Sequence, residues 1–321
     1  MNLFKNKVIL ITGGTGSFGN AAVKILTQNK YKFKKIIIFS RDENKQYEMR
    51  KKFKDKNLRF LLGDVRDEER LILALKDVDY VLHAAAQKHV PIAEYNPFEC
   101  IKTNIYGTQC VISAAIKTGV KKVIALSTDK ACNPINLYGA TKLCLEKLCI
   151  NANLMSPGKT TFSVVRYGNV IDSRGSVIPF FRELIEKNAK ELPLTDKNMT
   201  RFFIKIDQAV NFVIDSFAQM QGGEVYIPKM DSIHIEDLIK MISPKARIKI
   251  IGTRPGEKIN EILCSKDEAN SVYDFKKSYI IYPSFFNVTK KKGKKVKSDF
   301  IYSSDLKKYL NKKNVKKLIN S

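Results

Sequence analysis

The first half of the chain alternates short β-branched runs with amphipathic helical stretches, and this alternation limits the possible folds more than any other feature. Runs such as Ile36-Ile37-Ile38-Phe39 are apolar at every position, which is typical of strands buried on both faces. Right-handed crossovers then place such strands in a parallel sheet with helices on both sides. Strands are predicted at Lys7–Thr12, Lys35–Phe39, Leu58–Leu62, Tyr80–Ala84, Lys122–Leu126 and Phe162–Arg166, and helices at Ser17–Asn29, Asp42–Phe53, Asp67–Leu75, Pro97–Thr118 and Leu137–Asn153.

The first predicted strand leads into the glycine-rich turn Thr12-Gly13-Gly14-Thr15-Gly16-Ser17-Phe18-Gly19. A turn of this kind before a helix lets backbone amides approach a pyrophosphate, and the helix N-terminus adds partial positive charge. The predicted fold is therefore α/β, a Rossmann-type doubly wound parallel sheet with a smaller C-terminal α/β lobe for the substrate. The cofactor contacts expected from the turn are Gly13, Thr15, Gly16, Ser17, Phe18 and Gly19.

The residues after the second strand bear on which dinucleotide binds. An acid at this position typically holds the ribose hydroxyls of NAD, whereas cations accept the 2′-phosphate of NADP. Ser40, Arg41 and Lys45 can surround a phosphate, while Asp42 can simply begin the next helix, so NADP is favoured and NAD stays open. Later strand ends add Asp64 and Val65 at the adenine edge, and Ala84 and Ala86 beside the nicotinamide half.

A second group of residues has the composition of a catalytic site. Thr128 ends the fifth strand, and Tyr138 and Lys142 lie one helical turn apart on the following helix. A phenol with a pKa of ~10 is a poor base at neutral pH, but an adjacent ammonium favours the phenolate. We therefore expect Lys142 to lower the pKa of Tyr138 and Thr128 to hydrogen-bond the same substrate oxygen.

Together these motifs resemble the extended short-chain dehydrogenase/reductase family, and within it the inverting UDP-N-acetylglucosamine 4,6-dehydratases. The similarity is carried by His83-Ala84-Ala85-Ala86-Gln87-Lys88-His89-Val90-Pro91, Glu94-Tyr95-Asn96-Pro97, Ser127-Thr128-Asp129-Lys130-Ala131 and Arg166-Tyr167-Gly168-Asn169-Val170. It implies the first step of pseudaminic acid synthesis, a bound NADP regenerated in each turnover, and a UDP-N-acetylglucosamine substrate. Lys88, Asn104 and Val170 join Tyr138 and Lys142 as expected cofactor contacts.

The resemblance also implies a reaction sequence. Hydride leaves C4, the resulting ketone acidifies the C5 proton, water is lost across C5–C6, and the hydride returns to C6. Tyr138 is the expected base at O4, Asp129 the acid at O6 and Lys130 the base at C5. Retaining dehydratases usually have Asp-Glu where this chain has Asp129-Lys130, so Lys130 favours inversion; its pKa is expected to be lowered by burial and by Lys142. The second proton donor at C5, water or a side chain such as Lys88, stays open.

The segments that match the family's substrate site lie in the second half of the chain. Arg174, Arg201 and Arg254 are expected to neutralise the diphosphate, and Glu257 to accept from a ribose hydroxyl. The other expected substrate contacts are Asn169, Gly175, Ser176, Val177, Ile178, Pro179 and Thr195.

We expect residues 1–168 to form the NADP-binding domain, with 200–222 returning to it, and residues 169–199 and 223–286 to form the substrate lobe. Residues 287–321 read as a basic tail, because Lys290–Ser321 is rich in lysine. The helices Pro97–Thr118 and Leu137–Asn153 are long enough to form the interface of a homo-oligomer, a dimer or larger.

Charge and composition restrict the remaining classes. The formal net charge of +25 permits a polyanionic partner, but no nucleic-acid recognition motif appears. No apolar run is long enough to insert into a membrane, so a cytoplasmic location is expected. The 6 cysteines form no C-x-x-C pair and there are only 3 histidines, so no metal site is expected. Three alternatives stay open: a UDP-sugar C4-epimerase, a C5-retaining dehydratase, and a non-catalytic NADP-sensing regulator.

Overall fold

The computed structural model describes residues 4–28, 31–171, 173, 176–286, 288 and 291–306. Its strands are β1 (Val8–Thr12), β2 (Lys35–Ser40), β3 (Leu58–Leu62), β4 (Tyr80–His83), β5 (Lys122–Thr128), β6 (Thr161–Tyr167), β7 (Asn169–Val170), β8 (Glu191–Leu194), β9 (Thr200–Ile204), β10 (Val225–Pro228), β11 (Asp231–His234), β12 (Arg247–Ile250), β13 (Ile262–Cys264), β14 (Val272–Asp274), β15 (Ser278–Ile281), β16 (Lys294–Lys295) and β17 (Tyr302–Ser303). Its α-helices are α1 (Ser17–Leu26), α2 (Glu43–Lys52), α3 (Glu68–Leu75), α4 (Val90–Tyr95), α5 (Pro97–Ile101), α6 (Gly107–Thr118), α7 (Leu137–Met155), α8 (Val177–Glu186), α9 (Ile206–Gln219) and α10 (Ile235–Ile242).

The main sheet has ten strands in the order β16-β14-β15-β10-β6-β5-β4-β1-β2-β3. The seven strands from β3 to β10 are parallel, and β15, β14 and β16 continue the sheet in antiparallel fashion. The order 3-2-1-4-5-6 is that of a doubly wound dinucleotide-binding sheet, with its ligand crevice beyond the carboxyl ends of β1 and β4. The predicted fold class and the six predicted strands are confirmed.

Apolar side chains cover both faces of the main sheet. One cluster includes Leu10, Phe39 and Phe162, and the cluster on the other face includes Ile9 and Ile38. Neighbouring residues of one strand thus point to opposite cores, which is why these strands read as unbroken apolar runs rather than alternating ones.

The helix predicted at Pro97–Thr118 contains an irregularity that the sequence did not indicate. A π-helical turn at Lys102–Tyr106 separates α5 from α6. The turn carries the fully buried Asn104, whose amide nitrogen donates to Gln87 O and to Thr141 Oγ1. The extra residue per turn therefore aims a polar side chain at the backbone after β4.

The smaller lobe is built around β8, β12, α8 and α10, with a core that includes Phe181, Leu192 and Leu238. It is smaller than predicted, because β10, β14 and β15, all within the expected lobe segment 223–286, extend the main sheet instead. Helix α9 packs against α1, and the expected return of residues 200–222 to the main domain stays a prediction.

The described part of the predicted basic tail forms strands that pair with the rest of the fold. Strand β16 pairs with β14, and β17 pairs with β13. Tyr302 is buried and its hydroxyl donates to Met230 O, while Ser304 is fully buried. The apolar side chains of Phe300 and Tyr302 pack with the main core. The lysine-rich composition of the segment did not indicate this packing. Lys290 and residues 307–321 lie outside the described residues.

No helix in the described part of the chain is long and apolar enough to cross a membrane. The expected homo-oligomer stays a prediction.

Candidate active site

The glycine-rich turn joins β1 to α1 at the carboxyl edge of the sheet. Gly13 has φ +63°, and a Cβ there would lie 2.8 Å from the backbone of Ala85. A Cβ on Gly19 would overlap the carbonyl oxygen of Gly14. The two glycines therefore allow the turn to bend tightly and α1 to begin close to the sheet, with its N-terminal amides at the crevice. Thr15 is buried, whereas Gly16, Ser17 and Phe18 are more open.

A buried hydrogen-bond chain fixes this edge, and the sequence did not reveal it. Thr12 Oγ1 accepts from the amides of Ala84 and Ala85, so its hydroxyl donates to His83 Nδ1 at 2.8 Å. His83 Nε2 then donates to Thr108 Oγ1 at 3.1 Å. Burial lowers the pKa of His83 to about 3, so its ring is neutral and holds the end of β4 against the turn.

The residues after β2 that were expected to bind the cofactor contact one another and Asp64. Asp42 is the N-cap of α2: its carboxylate accepts from Lys45 N at 2.9 Å and pairs with Lys45 Nζ at 2.6 Å. This is the helix-starting role considered for it from the sequence. Ser40 is buried and its hydroxyl accepts from Gln46, while Arg41 is exposed and 3.4 Å from Asp64.

Asp64 is held by two arginines. Arg66, which sequence reasoning missed, donates to Asp64 Oδ2 at 2.7 Å and bridges onward to Glu99. Although burial opposes it, these hydrogen bonds and the charge of Arg41 lower the pKa of Asp64. Val65 beside it is buried against Gly107.

Helix α7 brings the predicted catalytic residues together. Its N-cap Asn136 accepts from Gly139 N at 2.8 Å and donates to Gly256 O at 2.8 Å. A Cβ on Gly139 would overlap the carbonyl oxygen of Lys130, so the glycine lets the helix begin directly against the turn that follows β5. Thr128, Asp129, Tyr138 and Lys142 are all buried within this contact.

Lys142 does not lower the pKa of Tyr138 as predicted. Its ammonium donates to Leu126 O at 2.7 Å, and burial lowers the pKa of Lys142 to about 8. Burial raises the pKa of Tyr138 to about 12, although Lys130 and a hydrogen bond with Thr128 act to lower it. The cation that acts on this phenol is therefore Lys130.

Lys130 also differs from the prediction. Its Nζ lies 3.0 Å from Asp129 Oδ1 and 3.1 Å from Glu261 Oε1. Burial acts against the ammonium, but these two carboxylates outweigh it and raise the pKa of Lys130, so the predicted lowering by Lys142 is wrong. The sequence missed Glu261 because it lies in a distant segment just before β13.

Asp129 is the fully buried carboxylate of this group. It is fully buried, and Oδ1 accepts from Thr128 Oγ1 at 2.9 Å as well as from Lys130. Its other oxygen, Oδ2, has no hydrogen-bond partner among the described residues. Burial raises the pKa of Asp129, which favours a carboxylic acid able to donate a proton.

The predicted diphosphate arginines divide into three cases. Arg201 is buried, and its NH1 and NH2 groups donate to Thr200 O, Ile259 O and Lys258 O at 2.7–2.8 Å. It therefore anchors the loop before β13, and its predicted diphosphate role stays a prediction. Arg254 is exposed on the same loop, while Arg174, together with Gly175, lies outside the described residues.

The other predicted substrate residues differ in burial and in hydrogen bonding. Ser176 and Glu257 each have a buried side-chain oxygen without a partner among the described residues. The side chain of Ile178 packs in the lobe core, and its predicted substrate contact stays a prediction. Asn169, Val170, Val177 and Pro179 are partly exposed, Thr195 is buried, and Lys88 is exposed.

No group of three or more His, Cys, Asp and Glu residues in the described ranges is placed to hold a metal ion.

Comparisons with known proteins show which family this chain belongs to. The family profile described as polysaccharide biosynthesis protein matches residues 9–283. A protein of Campylobacter jejuni subsp. jejuni serotype O:2, named UDP-N-acetylglucosamine 4,6-dehydratase (inverting), is 55% identical over 94% of each chain. A Rickettsia typhi protein named UDP-glucose 4-epimerase is 43% identical over 99% of this chain and 96% of its own. The X-ray structure of Pen from Bacillus thuringiensis is 39% identical with a TM-score of 0.92, over 99% of this chain and 98% of that one.

Proposed function

We propose, from the premise that the chain belongs to the polysaccharide biosynthesis protein family of extended short-chain dehydrogenases/reductases, that it is a UDP-N-acetylglucosamine 4,6-dehydratase that inverts C5. The observation that carries the proposal is the ion pair of the fully buried Asp129 with the partly exposed Lys130, next to Tyr138. It supplies an acid and a base in addition to the Tyr138 base that a simple C4 oxidation needs. The product would be UDP-2-acetamido-2,6-dideoxy-β-L-arabino-hex-4-ulose, the first intermediate of pseudaminic acid synthesis.

The residues of the turn fit a dinucleotide, because a Cβ on Gly13 or Gly19 would collide with backbone and close the cradle at the start of α1. Arg41 and Lys45 would hold the 2′-phosphate of NADP, since Asp42 already caps α2. Asp64, Val65, Ala84 and Ala86 would line the rest of the site. When bound, NADP supplies a hydride acceptor for C4 and a donor for C6.

The first proton transfer falls to Tyr138. Its phenolate is stabilised by the Lys130 ammonium, and it would take the O4 proton as the C4 hydride departs. Lys142 is held by Leu126 O one helical turn away, where it would bind the nicotinamide ribose. Its proposed role is thus to orient the cofactor rather than to lower the pKa of Tyr138.

Elimination requires a neutral amine and a neutral acid, and one proton transfer produces both. The proton moves from Lys130 Nζ to Asp129 Oδ1, 3.0 Å away, which leaves an amine and a carboxylic acid. The amine takes the C5 proton, the acid protonates the departing C6 hydroxyl, and the pair returns to its ionised form. Burial of Asp129 favours this exchange, because it penalises the carboxylate.

A UDP-sugar would lie across the junction of the sheet and the lobe. Arg254 is the described arginine available to its diphosphate, and the unpartnered oxygens of Ser176 and Glu257 are free to bind hydroxyl groups. Asn169 and Thr195 flank the same junction.

A UDP-sugar C4-epimerase is the second candidate, favoured by the 43% identity to the Rickettsia typhi protein. An epimerase needs the Tyr138 group but has no use for the Asp129–Lys130 exchange. The two reactions therefore predict different products from one protein.

The test is to incubate the purified protein with UDP-N-acetylglucosamine in deuterium oxide, without added cofactor, and to follow the reaction by NMR. The proposal predicts a 4-keto-6-deoxy sugar with L-arabino configuration and deuterium at C5. A D-xylo product formed first would contradict inversion, and a C4 epimer that keeps its C6 hydroxyl would establish the second candidate.

A further inference from the structure

Glu261 lies at the centre of the proposed site although it is far from the catalytic motifs in sequence. Its side chain is 2% exposed, and Oε1 is 3.1 Å from Lys130 Nζ. The second oxygen, Oε2, is buried without a partner among the described residues. A carboxylate in this position is costly unless its charge is compensated.

The backbone of Glu261 is fixed by the C-terminal strand. Its amide donates to Ser304 Oγ at 2.9 Å, and the amide of Ser304 donates to Glu261 O at 2.9 Å. Ser304 also shares a 2.6 Å hydrogen bond with Thr200, which donates to Asn260. The backbone that carries this carboxylate is therefore held in place by hydrogen bonds on both its N–H and its C=O group.

The charged and titratable groups around Lys130 come from four segments. Asp129 lies on the same turn, Glu261 precedes β13, Arg201 comes from β9, and Tyr138 comes from α7. The Nε of Arg201 is 3.8 Å from Glu261 Oε1 and compensates part of its charge. Lys130 is thus held between two carboxylates, and the charges of Arg201 and Lys258 also act on Glu261.

We propose that Glu261 is a positioning residue for Lys130. The carboxylate of Glu261 holds the Lys130 ammonium against Asp129 and so sets the pH at which Lys130 loses its proton. The consequence for catalysis rests on the proposed function, whereas the effect on the charge of Lys130 does not. Without this carboxylate, one of the two anions that stabilise the ammonium is lost. The pKa of Lys130 should then fall.

The direct test measures how fast acetic anhydride labels Lys130 at a fixed pH below its pKa, read by mass spectrometry. Only the neutral amine reacts, so a fall of about one pKa unit gives about tenfold faster labelling. Glu261→Gln, which keeps the shape of the side chain, should accelerate labelling by about tenfold or more, and Glu261→Asp should give an intermediate rate. Unchanged labelling in Glu261→Gln would overturn the proposal.

Two controls distinguish an effect of the Glu261 charge from a general loosening of the site. Asp305→Asn removes an exposed carboxylate that accepts from Asn260 on the same segment, and it should leave labelling of Lys130 unchanged. Labelling of the buried Lys142 reports whether the site has opened. An equal rise at Lys130 and Lys142 in Glu261→Gln would mean that the variant only loosens the site, which would also overturn the proposal.

The catalytic arm compares the pH profiles of dehydration. In Glu261→Gln the descending limb of kcat, where the Asp129–Lys130 pair loses the one proton it shares, should move to lower pH, and Glu261→Asp should restore part of the shift. A lower rate with an unmoved limb would leave Glu261 a purely structural role and contradict the proposal. If the native protein makes no 4-keto sugar, the proposed function fails, while the labelling experiment still decides the role of Glu261.

Discussion

The proposed role of Lys130 conflicts with its surroundings. Its amine must be neutral to accept a proton, yet it lies between two carboxylates that favour the ammonium form. A transfer to Asp129 resolves the conflict, because the pair can exchange a proton without changing the net charge of the buried site. The side chain at position 130 must therefore be able to lose its proton as well as carry a charge.

Lys130→Ala should reduce dehydration by at least about 100-fold, since it removes the proposed base. Lys130→Arg should be similarly slow, because a guanidinium keeps the charge but does not deprotonate. Both variants should retain their nicotinamide cofactor, measured by absorbance after denaturation. Full activity in either variant would remove Lys130 from the mechanism.

Burial of Lys142 couples protein stability to pH. Because its pKa falls from 10.5 unfolded to about 8 folded, the unfolded chain binds more protons between these values, and stability from this group rises with pH across that interval. Lys142→Met should gain up to about 3 kcal/mol relative to the native protein near pH 7, and this advantage should shrink towards pH 10.5. Urea unfolding at several pH values measures it; a difference that does not change with pH would contradict the buried charge.

At the scale of elements, α7 aligns the site through its first turn. Asn136 caps the helix and also binds the backbone at Gly256, while Glu94 Oε1 accepts from Leu137 N at 2.6 Å. The start of α7 is thus tied both to α4 and to the loop that carries Arg254. Any change in the cap should move Tyr138 relative to Lys130.

Asn136→Ala should cost about 1 kcal/mol of stability through loss of the cap, and should also lower kcat. Asp67→Ala is the matched control, because it removes the N-cap of α3, where Asp67 accepts from Arg70 N at 2.9 Å, away from the site. The control should lose similar stability in urea unfolding but keep its kcat. Equal kcat in the two variants would mean that the cap of α7 does not position Tyr138.

At the scale of the whole molecule, Arg166 on β6 joins three parts of the fold. Its guanidinium binds Glu146 on α7 at 2.6 Å, Glu268 after β13 at 2.8 Å, and the backbone of Leu263. It is 1% exposed, so both of its partners depend on it for compensation of their charge.

Arg166→Met should destabilise the protein by about 3–5 kcal/mol, because it leaves the buried carboxylate of Glu146 without a cation. Arg166→Lys should lose less, since it restores the charge but not the forked geometry. Urea unfolding of both variants gives the comparison. A methionine variant as stable as the native protein would show that the carboxylates are compensated in another way.

The sequence alone determined the sheet, the glycine turn and the residues on β5 and α7, because each depends on local patterns: apolar runs, glycines at fixed offsets, and the i, i+4 spacing of Tyr138 and Lys142. The charge state of those residues required the fold. Glu261 lies beside Lys130, and Arg201 hydrogen-bonds the loop before β13. Tyr302 is buried in a segment whose lysine-rich sequence had predicted a solvated tail. Electrostatic energy depends on distance in space and on burial, and neither is written in the local pattern of a chain.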